Sequence, residues 1–150
     1  MSCIDAVFRQ EAVLTVFTAR GHPNITAKNR QTLEIAKDPY VTKRGDCIVA
    51  CCAEKAAGEL GGELLSALAR PGKVALIIDT GNLWDYVEGL TPLATPTSTW
   101  RIVARRSTYV DNSTVAIAID KAAAGLKREL VKMLKEGAPV RITIGVCPLR

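Results

Sequence analysis

Two sets of leucines at every fourth position organise this chain. Leu60, Leu64 and Leu68 recur at i, i+4 and i+8 with small or polar residues between them, and Leu126, Leu130 and Leu134 do the same. That spacing puts three leucines on one face of a helix, so both segments are expected to be amphipathic helices against a core. Each is closed by a turn signal, Arg70-Pro71-Gly72 and Gly137-Ala138-Pro139, and followed by an apolar run, residues 74–78 and 140–146, that reads as a strand. Two further apolar runs come before the leucines, residues 47–52 (CIVACC) and 114–119 (TVAIAI). Entered through Arg44-Gly45-Asp46 and Asp111-Asn112, they have the length and flanking turns of buried strands.

Shifting the sequence against itself by 66 residues lays residues 46–78 over 112–144 with 11 identical pairs in 33 positions. Average composition gives about two or three by chance. The matches include Val49/Val115, Lys55/Lys121, Leu60/Leu126, Glu63/Glu129 and Leu68/Leu134, with Glu54/Asp120 a chemical match. Upstream the match continues with small gaps, Thr32-Leu33-Glu34-Ile35 lying over Thr99-Trp100-Arg101-Ile102 and Gly21 near Gly89. The expectation is an internally duplicated chain of strand-strand-strand-helix-strand units, approximately residues 11–79 and 83–147. A unit of this size buries too little surface to be secure alone, so residues 1–150 are expected to form a single domain in which both units share one core. The expected fold class is mainly β with two helices (α+β), barrel-like or with sheets in two layers.

Composition narrows the chemistry. With 150 residues, 48% apolar and 23% charged, the chain can build a core without metals or staples. No apolar run reaches the roughly 18 residues of a membrane helix, and Asp5, Arg9 and Glu11 interrupt the N-terminus, which points to the cytoplasm and away from a membrane. The five cysteines, Cys3, Cys47, Cys51, Cys52 and Cys147, are odd in number and show no CxxC pair, so they read as small apolar residues rather than a zinc knuckle or a closed disulfide framework. His22 is the single histidine, and a metal site built on it would need ligands scattered far apart in sequence; neither metal nor cofactor is expected. The net charge of +5 is modest and contains no long run of like charge.

Several strings carry a family likeness: ARGHPNI at 19–25, TLEI at 32–35, RGDCI at 44–48, KAA at 55–57, RRS at 105–107 and IDKAA at 119–123. Together they resemble an archaeal family catalogued as a domain of unknown function, number 371. The likeness runs over nearly the whole chain and is most specific at Arg20-Gly21-His22-Pro23-Asn24. It implies an archaeal source and a β-rich duplicated fold, with no established activity. The family's pattern has a second histidine about where Asn29 stands here, so a two-histidine site does not carry over to this chain.

Four groups of residues are candidates for function. Arg20, His22 and Asn24 lie in a string whose Gly and Pro shape a loop, and they either satisfy the local backbone or converge on a ligand, with His22 the group able to change charge near neutral pH. A His22–Cys47 dyad needs that thiol exposed and activated. Lys55 and Lys121 are expected at equivalent helix starts, where a cation opposes the macrodipole; they either pair with neighbouring carboxylates or receive an anion beside free N–H groups. Arg44 and Asp46 flank Gly45 in what reads as a tight turn with a surface ion pair, or as part of a ligand site. Lys121, Arg128, Lys132 and Lys135 share a helix face that is either solvated, a contact for a second copy's acidic helix, or a nucleic-acid footprint. The leading expectation is a protein that binds a small anionic or phosphorylated ligand. The alternatives are a hydrolase or transferase using His22 as acid or base, and a nucleic-acid-associated protein.

Overall fold

The computed structural model describes residues 2–149. Its strands are β1 (Val13–Arg20), β2 (Thr32–Ala36), β3 (Ile48–Ala50), β4 (Gly72–Asp79), β5 (Trp84–Leu90), β6 (Arg101–Arg105), β7 (Thr114–Ala116) and β8 (Pro139–Pro148). Its helices are α1 (Cys3–Phe8), α2 (Gly62–Leu68) and α3 (Arg128–Lys135). The strands form two four-stranded sheets, ordered β1-β8-β4-β5 and β3-β2-β6-β7. In the first, all neighbours are antiparallel; in the second, β2 and β6 are antiparallel while β3 and β7 join the outside in parallel.

Neither sheet closes into a barrel, which removes the closed alternative. Closure fails because β3 and β7 are three residues long and meet the other sheet through single bridges, Arg20–Cys51 and Leu90–Ile117. Both apolar runs were expected to be six residues long. They stop early because Cys52 (φ 58°) and Ala118 (φ 51°) take left-handed backbone, which ends an extended strand.

The leucine pattern holds for burial. All six periodic leucines are at most 2% exposed and join one buried cluster that draws on both sheets. Helices of seven and eight residues are marginal by propensity, so it is this packed face that keeps them helical. The helix starts differ from expectation. Lys55 and Lys121 precede short 3-10 turns, Ala57–Glu59 and Ala123–Gly125, and the helices proper begin at Gly62 and Arg128. Leu60 and Leu126 are buried by the turns and not by the helices, and the macrodipole argument for the two lysines falls with that geometry.

A third helix was not expected. The Ser2 hydroxyl caps α1 by accepting the Asp5 amide, and α1 buries Cys3, Ile4 and Val7 on the outer face of the first sheet against Ala75 and Ile77. Because Val74, Leu76 and Ile78 face the main cluster, β4 is covered on both sides, which accounts for its unbroken apolar run. The expectation for the cysteines is corrected here: Cys3 and Cys147 form a disulfide across 144 residues of sequence, with Cα atoms 5.7 Å apart. Spacing gave no hint of it, since the two cysteines lie 144 residues apart in sequence and α1 reaches β8 only by packing on the outer face of the first sheet.

Closing so long a loop restricts the unfolded chain, and a Cys3→Ser/Cys147→Ser double variant is expected to lose about 2–5 kcal/mol of stability. Urea denaturation read by circular dichroism checks this, with the native β signal retained before the transition.

Candidate functional site

The loop after β1 is fastened along α3 from end to end. At the C-terminal end of the helix, the His22 amide donates to the Leu134 carbonyl at 2.8 Å and the Gly21 amide to the Ala138 carbonyl at 2.8 Å. A Cβ on Gly21 would overlap the Leu134 carbonyl, so the close approach requires glycine. At the N-terminal end, the Arg128 guanidinium donates to the carbonyls of Ala27, Ala123, Ala124 and Leu126 at 3.0–3.1 Å, and the Ala124 amide donates to the Asn29 carbonyl. Arg128 is therefore spent on backbone, where its planar fork can serve several acceptors at once.

Within the loop, the Asn24 amide donates to His22 Nδ1 at 3.1 Å, leaving the ring proton on Nε2, and Asn24 Nδ2 donates to the Val41 carbonyl at 2.9 Å. Asp46 organises the far side: its carbonyl accepts the amides of Lys28 and Asn29, and its Oδ1 accepts Asn29 Nδ2 at 3.0 Å. Asn29 in turn accepts the amides of Gln31 and Thr32. At the position where the family pattern suggests histidine, an amide side chain here closes a turn.

Between loop and helix lies a groove of about 270 Å³ lined by Thr26, Lys28, Arg128, Val131, Lys132 and Lys135. Arg128, Lys132 and Lys135 fall on one face of α3. Among the described residues, Lys28, Lys132 and Lys135 form no ion pair with a carboxylate. Thr26 Oγ1 is buried and makes no hydrogen bond, the one side-chain N or O atom of the described residues in that position. A buried hydroxyl without a partner costs about 1–3 kcal/mol. The hydroxyl is covered, so an acceptor in the groove reaches it once the Thr26 side chain turns toward the groove, which Lys28, Lys132 and Lys135 also border.

The other candidates are placed elsewhere. Lys121 Nζ donates to Asp85 Oδ1 at 2.8 Å, and the buried Asp85 also accepts the Lys127 amide at 2.9 Å. Burial raises the Asp85 carboxyl, but Lys121 and the amides of Lys127 and Tyr86 outweigh it and hold it below its ordinary value. Lys55 is half-buried and unpaired among the described residues, beside Glu54, whose carboxylate accepts the Thr18 amide and hydroxyl on β1. Since β1 and β5 are opposite edges of the first sheet, Lys55 and Lys121 are separated by its whole width and do not converge. Arg44 is exposed in the turn closed by the Gly45 amide on the Thr42 carbonyl, and it forms no ion pair with Asp46. Arg20 is exposed at the end of β1. The structure thus sets Arg20, His22 and Asn24 along the end of β1 and its loop and adds Asp46 to the loop's support; Lys121 lies at the opposite edge of the sheet, and Lys55 follows Glu54, which bonds Thr18 on β1.

Chemical activation is absent where the dyad needed it. Burial first, then Glu34 and Asp46, pushes the Cys47 thiol up to about 11. Two of the three arginines near Trp100 and Tyr109 are paired, Arg101 with Glu34 at 3.1 Å and with Asp111, and Arg105 with Asp111 at 2.8 Å and over the Tyr109 ring; Arg106 is exposed and forms no ion pair among the described residues. Among the described residues, no three His, Cys, Asp or Glu side chains gather as a metal-holding group, and no helix is long and apolar enough to cross a membrane.

Thr26 and Lys28 were not singled out from sequence. The signal available was their position, two and four residues beyond Asn24 in the most specific string, opposite a helix face already recognised as basic.

A family model described as a domain of unknown function (DUF371) matches residues 17–147. The chain is also 34% identical over 126 residues to the uncharacterized protein MJ0206 of Methanocaldococcus jannaschii, covering 81% of this chain and 91% of that protein.

Asp111 offers a check on the electrostatics. Burial raises its carboxyl, while the Ser113 hydroxyl and amide, the Thr114 hydroxyl and Arg105 outweigh burial and hold it at about 2, against an ordinary value of 3.8. A depressed carboxyl contributes stability above its unfolded pKa and loses it as pH falls through the folded one. Between about pH 4 and pH 2, wild-type stability is expected to fall by about 1–2 kcal/mol more than that of Asp111→Asn, as read by urea denaturation.

Proposed function

We propose that this chain, which belongs to the DUF371 family, binds a small phosphorylated anion in the groove between the Thr26–Lys28 segment and α3. The observation that carries this reading is the unpartnered Thr26 hydroxyl beside three lysines that have no carboxylate partner. A groove of about 270 Å³ suits a phosphate or a phosphorylated small metabolite; sites for larger ligands run from roughly 300 to 1,000 Å³. Lys28, Lys132 and Lys135 supply charge, and Thr26 supplies a hydrogen bond once its side chain turns toward the groove. Arg20, His22 and Asn24 act by shaping the loop that faces the helix. His22 does not border the groove, which weighs against the acid–base reading, and the pairing of Arg101 and Arg105 with carboxylates weighs against a nucleic-acid surface there.

The same proposal takes the chain to be one domain of duplicated origin. Its support is the 66-residue self-match together with the repeated order of three strands, a 3-10 turn, a helix and a strand. The matched acids Glu54 and Asp120 also do the same work, each accepting an edge-strand amide, from Thr18 and Glu88.

Calorimetric titration with inorganic phosphate and a panel of sugar phosphates tests the site. Lys132→Ala/Lys135→Ala is expected to weaken binding at least tenfold with a melting temperature nearly unchanged, because exposed lysines contribute little to stability; Thr26→Val is expected to weaken binding severalfold and to raise the melting temperature, because it removes the unpaired hydroxyl. Lys55→Ala and Lys121→Ala serve as comparators outside the groove and should bind like wild type. Equal affinity in all variants, or binding lost only in the comparators, overturns the assignment.

A further inference from the structure

We propose that Cys51 and Cys52 form a redox-active vicinal dithiol, oxidised to a Cys51–Cys52 disulfide by a low-molecular-weight disulfide. Neighbouring side chains on a strand point to opposite faces, so adjacent cysteines normally hold their sulfurs apart. Here Cys51 is the last extended residue, fixed by two backbone bonds with Arg20 at 2.8 and 2.9 Å. Cys52 then turns left-handed at φ 58°, and its sulfur comes to 2.8 Å from that of Cys51. This is inside the about 3.5–4.0 Å at which non-bonded heavy atoms usually pack.

The turn is not a product of the sulfurs. Ala118 adopts φ 51° one residue beyond the Leu90–Ile117 bridge, where no thiol is present. The backbone therefore sets this geometry wherever a short outer strand leaves its bridge, and in one of the two places the chain carries a pair of thiols.

The two thiols differ in access. Cys51 is 1% exposed and Cys52 only half-buried, so a reagent reaches Cys52 first. Burial, followed by the contact with Cys52, pushes the Cys51 thiol up to about 12, which leaves the first attack to Cys52. In the first step the Cys52 thiolate attacks one sulfur of the reagent RSSR, forming a mixed disulfide and releasing RS⁻. Cys51 then loses its proton and attacks the Cys52 sulfur, expelling the second RS⁻. Two cysteine thiols are oxidised, one reagent disulfide is reduced, and the two thiol protons end on the released RSH. None of these atoms lines the anion groove, so the two proposals stand independently.

The test must distinguish this pair from Cys47, four residues earlier, and from the disulfide-bonded Cys3 and Cys147. Folded protein is incubated with glutathione disulfide, quenched in acid, denatured, alkylated and digested with trypsin, which releases residues 45–55 as one peptide holding Cys47, Cys51 and Cys52. The expected peptide carries an alkyl label on Cys47 alone and is lighter by the two thiol hydrogens; prior treatment with a thiol reductant restores labels on all three cysteines. In Cys51→Ser, the expected product is a stable glutathione adduct on Cys52. Three labels after oxidation, consumption of Cys47 in place of either neighbour, or an adduct on Cys47 alone in the variant overturns the proposal. The wild-type measurement stands even if a variant folds poorly.

Discussion

The antiparallel pairing of β4 with β8 sets Val74, Leu76 and Ile78 opposite Val146, Ile144 and Ile142 at the middle of the first sheet, and these residues are all but fully buried. Both strands directly follow a short helix, so their pairing also fixes where α2 and α3 pack. The edge strands take their places from it, β1 on β8 and β5 on β4. So does α1, whose apolar residues need the outer face that β4 and β8 jointly present, and the Cys3–Cys147 bond then fastens α1 to β8. Without this one ladder, neither the two-sided burial of β4 nor the disulfide has a template.

The remaining backbone is satisfied by means that also shape the groove. Where β3 and β7 stop short, Glu54 and Asp120 supply acceptors to the edge-strand amides of Thr18 and Glu88, which no neighbouring strand pairs. The long connection after β1 is held instead by α3 and Asp46. Spanning the helix, that connection leaves a channel along its basic face. Four cations outside the groove pair with carboxylates, Lys37 with Glu59, Arg101 with Glu34 and Asp111, Arg105 with Asp111, and Lys121 with Asp85. Lys28, Lys132 and Lys135 form no ion pair among the described residues, and it is their clustering around one groove that gives it its chemical character.

Much of the fold was legible from periodicity. The leucine triplets located both main helices, and the runs after the turn signals located β4 and β8. Their lengths were less legible: β3 and β7 end at Cys52 and Ala118, and nothing in either residue type announces a left-handed backbone. The 3-10 turns escaped for a related reason. A leucine at i−4 from a helix is buried equally well by a preceding turn, so Leu60 and Leu126 extended the apparent helices and carried Lys55 and Lys121 to their starts.

By itself the sequence determined the burial of the two leucine faces, the place of the two main helices and of the strands that follow them, the family, and the loop from Arg20 to Asn24 as the most specific part of the family likeness. Those properties follow from short-range geometry, in which a side chain's spacing decides the face it occupies. Only the tertiary structure decided that the sheets stay open, that Cys3 meets Cys147, that Lys55 and Lys121 stand at opposite edges, and that Lys28 and Thr26 face Lys132 and Lys135. Each of these is a contact between residues far apart in the chain, set by strand order and register, and periodicity within a segment carries no information about which distant segment lies against it.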